Sequence, residues 1–389
     1  MNRHITSGRN QDAWLGKPQQ IGKFILGACI FLLSLLIRYR IRRWTNIDTD
    51  TIESWYKFLF RHGIDGLANG SFSNYPPAYL YCLWLVTRLS KWIGPLSSIK
   101  LIPTFFDLIS TFSVYLLART KYDRASAFLL SGIFFTLPTV MMNSSGWGQI
   151  DSAYISFLLL SLYFLYTEKP FWGMLAFGVA FSFKSQAIFL VPFLGILLFW
   201  GKVRWYHFCL ILVVYVILAI PALMIGRDWS SILYLYFGQL EQFENLARNA
   251  PNLYLFISSK YYHPGLEMGL AVFAAASLSW AWINWKWRTI FTSRKYFLTA
   301  LASAALVPFL LPKMHERYFY AADTLSFVTA IFIPELWFVP LLFQLSSGFT
   351  YTIFLFGWNP IFVQIAALIN TGLVVVIAYK QIQSINNIP

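Results

Sequence analysis

Apolar runs close to the length that a bilayer demands recur along this chain from residue 21 to residue 379, and most of the polar stretches between them are short, the exceptions being 41–98 and 226–264. A helix that crosses the hydrocarbon core needs about 20 apolar residues, because every backbone N–H and C=O must be satisfied within the segment. Only 12% of the residues are charged and 58% are hydrophobic, with a mean hydropathy of +0.57, where a soluble domain carries about 25% charge. The pattern therefore predicts an all-α, polytopic transmembrane protein. Its formal charge of +14 could point to nucleic acid, but the Lys and Arg residues form short clusters between apolar runs. Membrane topology accounts for such clusters, so the expected partner is the lipid bilayer and not nucleic acid.

About twelve spans are expected, at 21–39, 101–118, 125–142, 153–166, 171–183, 188–200, 208–225, 266–285, 297–311, 319–333, 337–356 and 361–379. They form one transmembrane domain, 21–380, between cytoplasmic tails at 1–20 and 381–389. The first outer loop, 41–98, carries surface helices, and the second outer loop is 226–264. The first helix lacks a small-residue cleavage site and reads as uncleaved. The run 78–92 is ambiguous, and charge bias decides it. If it lies flat, the basic clusters at 119–124, 202–204 and 286–295 and Lys380 all fall on the cytoplasmic side. Arg38, Arg40, Arg42 and Arg43 then stand against the bias, a position from which they could meet anionic phosphate. Cys29, Cys82 and Cys209 have no metal or redox spacing and read as small buried hydrophobes.

The segment 46–79 organises the rest, because it gathers Asp48, Asp50 and Glu53 beside the bilayer. Ile52, Trp55, Tyr56 and Leu59 fall on one face of a predicted surface helix, with Glu53 and Lys57 paired on the other. Asp48 is the candidate base; the alternative is that it caps this helix. Tyr75, before Pro76 and Pro77, fixes an extended approach to the next helix.

The same topology carries three further polar motifs to the side of Asp48: NSSGWGQID (143–151), FKSQ (183–186) and KMHERYFY (313–320). Charged groups at such depth are costly and mark functional paths. Lys184, His315 and Arg317 make a cationic site for a phosphate or diphosphate, with Glu316 organising the cluster. Lys184 and Gln186 lie between two short spans, in a cavity lined by protein. Bland alternatives remain: His315 and Arg317 as interfacial anchors, Lys184 snorkelling to headgroups, and Trp147, Gln149 and Asp151 as a loop that packs and caps the next helix. RNAPNLY, from Arg248 to Tyr254, has the chemistry of an ordered turn. His315 has no second His at ligand spacing. No metal site and no cofactor are expected, and dependence on a divalent metal stays open.

The succession from Asp48 to Trp55, then NYPPAY, WGQIDS, FSFKSQA, RNAPNLY and LLPKMHERYFY, resembles the integral-membrane GT-C glycosyltransferases, in particular the bacterial proteins related to the second GPI mannosyltransferase. More distantly it is similar to the ER glucosyltransferases of the N-glycan pathway. The resemblance implies an acidic base in the first outer loop, here Asp48, and a donor sugar carried on a polyprenyl or dolichyl phosphate. His315, Glu316 and Arg317 stand where the ER enzymes carry His-Glu-Lys, and Asn74 stands where they carry Asp. The expected activity is transfer of a hexose, mannose or glucose, with inversion, to an extracytoplasmic glycan, lipid or protein. A bacterial plasma membrane is preferred to the ER. The competing expectation is a transporter or flippase for a lipid carrier or polar solute, against which stands the absence of an evident inverted repeat; a non-catalytic scaffold is a third.

Overall fold

A computed structural model describes residues 18–241, 244–286 and 291–386. Helix α1 (Pro18–Ile41) leads into the amphipathic α2 (Ile47–His62). Asn46 starts α2: its side chain accepts from the Asp48 and Thr49 backbone N–H groups at 3.0 and 3.1 Å, and Thr49 Oγ1 accepts from Asn46 N–H at 2.8 Å. That reciprocal arrangement satisfies donors which a helix start otherwise leaves bare. Ile52, Trp55, Tyr56 and Leu59 are buried on one face, and Lys57 meets Glu53 at 2.8 Å on the other.

Helix α3 (Pro77–Thr87) has 11 residues, about 16 Å of rise against a hydrocarbon core of about 30 Å. It is too short to cross alone. The chain continues through α4 (Pro95–Arg119), α5 (Arg124–Phe135) and α6 (Pro138–Met141), which runs into a π-helical turn at Met142–Trp147. Next come α7 (Asp151–Tyr166), α8 (Pro170–Phe183), α9 (Val191–Phe199) and α10 (Cys209–Met224), then the short α11 (Trp229–Leu233) and α12 (Leu235–Glu241). A strand β1 (Ala247–Arg248), α13 (Tyr262–Lys286), α14 (Ser293–Leu310), β2 (Met314–His315), α15 (Tyr320–Phe332), α16 (Phe338–Phe356) and α17 (Ile361–Asn386) complete it.

Several long apolar helices mark an integral membrane protein. Among the described residues six helices are long and apolar enough to cross a membrane, or seven if the pair Arg124–Phe135 and Pro138–Trp147, bent by 57°, is one span. The remaining expected spans are helices too, but α7, α8, α9 and α15 are short. Burial explains how: α14 and α15 are buried along most of their length, so protein and not lipid surrounds them.

Helix direction separates two ends of the bundle. Asp151 opens α7 and Tyr166 closes it, and at the Tyr166 end the basic segments tie together. Tyr166 OH meets Ser293 Oγ at 2.6 Å, Lys121 Nζ donates at 3.0 Å to the carbonyls of Ile331 and Phe332, and Lys202 pairs with Glu168 at 2.7 Å. Arg294 pairs with Glu335 at this end. Of the 286–295 cluster, residues 287–290 lie outside the described residues.

Several sequence expectations are corrected. Arg38 is not available to a ligand phosphate: it is buried inside α1, paired with Asp107 at 2.8 Å and bonded to Phe135 O at 2.7 Å. Cys29 and Cys209 are exposed, not buried, and all three cysteines are free; their helices turn those faces outward. Residues 381–386 continue α17, and Gln381 is buried and donates to Thr299 Oγ1 at 2.6 Å. Of the expected tails, 1–17 and 387–389 lie outside the described residues.

Candidate active site

The site is assembled from six segments distant in sequence, around Asp48, Tyr75, Gln149, Lys184, Arg248 and Arg317. Capping by Asn46 places Asp48 at the first turn of α2. The π-helical turn and Gly148 place Trp147, Gln149 and Asp151 opposite it. Gly148 has φ +84°, and a Cβ there would stand 3.1 Å from Thr49 Cγ2, so only glycine lets this turn approach α2 so closely. Lys100, buried in α4, holds the turn from behind by donating to Gly146 O at 2.6 Å and to Trp44 O.

Asp48 is held through one oxygen. Trp147 Nε1 and Gln149 Nε2 both donate to Oδ2, at 2.8 and 2.6 Å, and Arg317 Nη2 lies 4.0 Å from it. Oδ1 accepts no hydrogen bond from the described residues. Asp48 does not cap α2 with its side chain; Asn46 has that task. Gln149 is itself fixed, because its Oε1 accepts from Arg317 Nη1 at 2.6 Å and from Tyr75 OH at 3.2 Å. The amide therefore has only one orientation that serves both neighbours.

Asp151 anchors the cations. Lys184 pairs with its Oδ1, Arg317 Nη1 lies 3.5 Å from Oδ2, and Asn143 Nδ2 donates to Oδ2 at 2.9 Å. Asp151 and Lys184 are buried. The break between α8 and the turn at Ser185–Leu190 frees Lys184 from the helix and lets it reach across. The Arg317 guanidinium also sits 5.1 Å from the Trp147 ring centre and 3.5 Å from Glu316 Oε1.

The segment after α12 clamps the 313–320 motif. β1 pairs in parallel with β2, Ala247 opposite Met314 and Arg248 opposite His315, and Glu316 N–H donates to Arg248 O at 3.1 Å. Asn252 locks the following turn, accepting from Tyr254 N–H at 3.1 Å and donating to Pro308 O at 3.2 Å. Burial, with Arg317, Arg248 and Lys184 nearby, pushes the His315 imidazole down to about 3. That shift favours a neutral, hydrogen-bonding imidazole at His315 over the third cation expected from the sequence. Burial pushes the Glu316 carboxyl up, against the pull of Arg317.

One cavity of about 470 Å³ receives Asp48, Tyr75, Gln149, Lys184, Gln186, Arg248, His315, Glu316 and Arg317. Trp147 and Asp151 are buried behind its wall. A carboxylate oxygen and the cationic side chains of Lys184, Arg248 and Arg317 facing one space can take a proton from one group while stabilising negative charge on another. Among the described residues no three His, Cys, Asp or Glu side chains converge as a metal site would require.

Residues 74–225 match the family model of dolichyl-phosphate-mannose-protein mannosyltransferase. The match covers less than half of the chain, from Asn74 to the end of α10, and so includes Tyr75, Trp147, Gln149, Asp151, Lys184 and Gln186 but not Asp48 or Arg317. It supports a membrane glycosyltransferase of GT-C type with a dolichyl-phosphate sugar as donor; it does not reach the relation to the second GPI mannosyltransferase. No curated protein matches the chain.

Sequence reasoning missed three supporting residues. Asn46 was legible as a capping residue three positions before Thr49. Asn143 was legible only as the opening residue of the NSSGWGQID motif, and Lys100 carried no signal, since nothing in the sequence places it beside Gly146.

Proposed function

We propose that this protein is an inverting hexosyltransferase that moves mannose or glucose from a polyprenyl or dolichyl phosphate to an extracytoplasmic acceptor. The observation that carries the reading is the meeting of Asp48, Lys184 and Arg317, more than 260 residues apart at the extremes, around one cavity. Asp48 Oδ1 takes the proton of the acceptor hydroxyl. The acceptor oxygen then forms its bond to the anomeric carbon as the bond from that carbon to the phosphate oxygen breaks. Lys184 and Arg317 stabilise the departing phosphate, His315 contributes a hydrogen bond, and Asp151 holds the two cations against their mutual repulsion. A single displacement through an oxocarbenium-like state inverts the anomeric configuration.

In this reading residues 21–380 are one transmembrane domain, and the short helices bring the crossings to about twelve. The cavity faces the non-cytoplasmic side and the joined basic clusters face the cytoplasm. We place the protein in a bacterial plasma membrane, in line with the sequence resemblance to the bacterial relatives of the second GPI mannosyltransferase.

The test is incubation of the purified protein with polyprenyl-phosphate mannose or polyprenyl-phosphate glucose together with a panel of glycan, lipid and peptide acceptors, with the product anomer read by NMR. The expected result is transfer of one of the two with inverted configuration. Movement of the labelled lipid between vesicle leaflets with no sugar transfer would replace this reading by the transporter one.

A further inference from the structure

A second recess adjoins the catalytic cavity. It is an open groove of about 570 Å³ beside α12, and Asn74 and Gln239 line both spaces. Gln239 Nε2 donates to Asn74 O at 2.7 Å, so along their seam a seven-residue helix is tied to the segment before α3 by that bond. The volume is within the range of ligand sites.

The lining has a definite chemistry. Among the described residues that form it none is charged. Tyr234 is 68% exposed and offers a broad ring; Ser231, Asn74 and Gln239 offer a hydroxyl and two amides. Gly70 and Gly238 leave the backbone bare, and a Cβ on Gly70 would stand 2.9 Å from Ser231 Oγ. Arg227 lies behind Ser231, donating to its hydroxyl through Nε at 3.2 Å, and is buried. An aromatic ring with uncharged donors and acceptors suits a ligand whose apolar C–H faces alternate with hydroxyls. A phosphate would call for accessible cations.

We propose that this groove holds the neutral sugar residues of the acceptor, making the acceptor an uncharged oligosaccharide whose terminal hydroxyl reaches Asp48 across the Asn74–Gln239 seam. The proposal rests on the cavity being a transfer site. Saturation-transfer NMR on the full-length protein in detergent, with mannotriose, maltotriose, dodecyl phosphate and an uncharged tetrapeptide as probes, tests it. A neutral trisaccharide is expected to bind, about fivefold more weakly to Tyr234→Ala and to Gly70→Leu, while dodecyl phosphate binds all three proteins alike and so reports intact folding. No trisaccharide binding to the unaltered protein, equal binding to the variants, or a loss of tetrapeptide or dodecyl phosphate binding in their place overturns it. The two readings fail separately. Trisaccharide binding without any transfer leaves the groove standing and removes the transferase; transfer with an acceptor KM unchanged in both variants does the reverse.

Discussion

Gln149 shows how a single amide can set the chemistry of a carboxylate. Its oxygen is claimed by Arg317 and Tyr75, so its nitrogen has to face Asp48, and both donors to Asp48 arrive at the same oxygen. In the proposed reaction the other oxygen takes the acceptor proton. His315 illustrates the opposite pressure, where burial and neighbouring cations remove a charge that the sequence would have granted. The sign of the resulting pH effect follows directly. The folded pKa, about 3, lies below the ordinary 6.5, so between those values the unfolded chain binds more protons and stability falls as pH falls. The expected outcome is a drop in Tm between pH 7 and pH 5 that is steeper for the unaltered protein than for His315→Gln. Parallel curves would show that His315 is not held neutral.

At the scale of elements, the first helix is fastened to the bundle by charge inside apolar surroundings. Arg38 of α1 meets Asp107 of α4 at 2.8 Å, while Ser144 of the π-helical turn donates to the same carboxylate oxygen and Ser34 to Phe135 O. Both charged groups are buried. Removing one partner strands the other, at a cost of about 3–5 kcal/mol, whereas replacing both by apolar groups is often near neutral. Asp107→Leu should therefore lower the thermal stability of the purified protein sharply, and Arg38→Leu combined with Asp107→Leu should restore most of it. A double variant as unstable as the single one would mean that the pair stabilises the fold beyond satisfying itself. The same element explains a miss in the sequence reading. An arginine at the end of an apolar run looks like an interfacial charge, and only the distant Asp107 reveals it as a structural one.

Across the whole molecule, local periodicity made helices readable and left their surroundings unreadable. The face of α2 carrying Ile52, Trp55, Tyr56 and Leu59 followed from spacing alone, as did the break at Lys184. Whether a helix such as α14 meets lipid or protein depends on neighbours far away in sequence, and there the count of span-length helices diverged from the expected crossings. The candidate site was legible as a set of polar motifs because such residues are expensive beside a bilayer; their pairings were not, since Asp151 with Lys184 or Arg317 with Gln149 depends on how α7, α8 and α15 pack. The two walls of the cavity have separable tasks in this account, the cations for the donor phosphate and Asp48 for the acceptor proton. The most direct measurement is donor affinity and turnover, taken side by side on one polyprenyl-phosphate sugar, for the unaltered protein and for Asp48→Asn and Arg317→Ala. Asp48→Asn should bind the donor nearly as well as the unaltered protein and lose about 10²–10⁴-fold in turnover, and Arg317→Ala should lose donor affinity. An Asp48→Asn protein that transfers sugar at an undiminished rate would contradict the account.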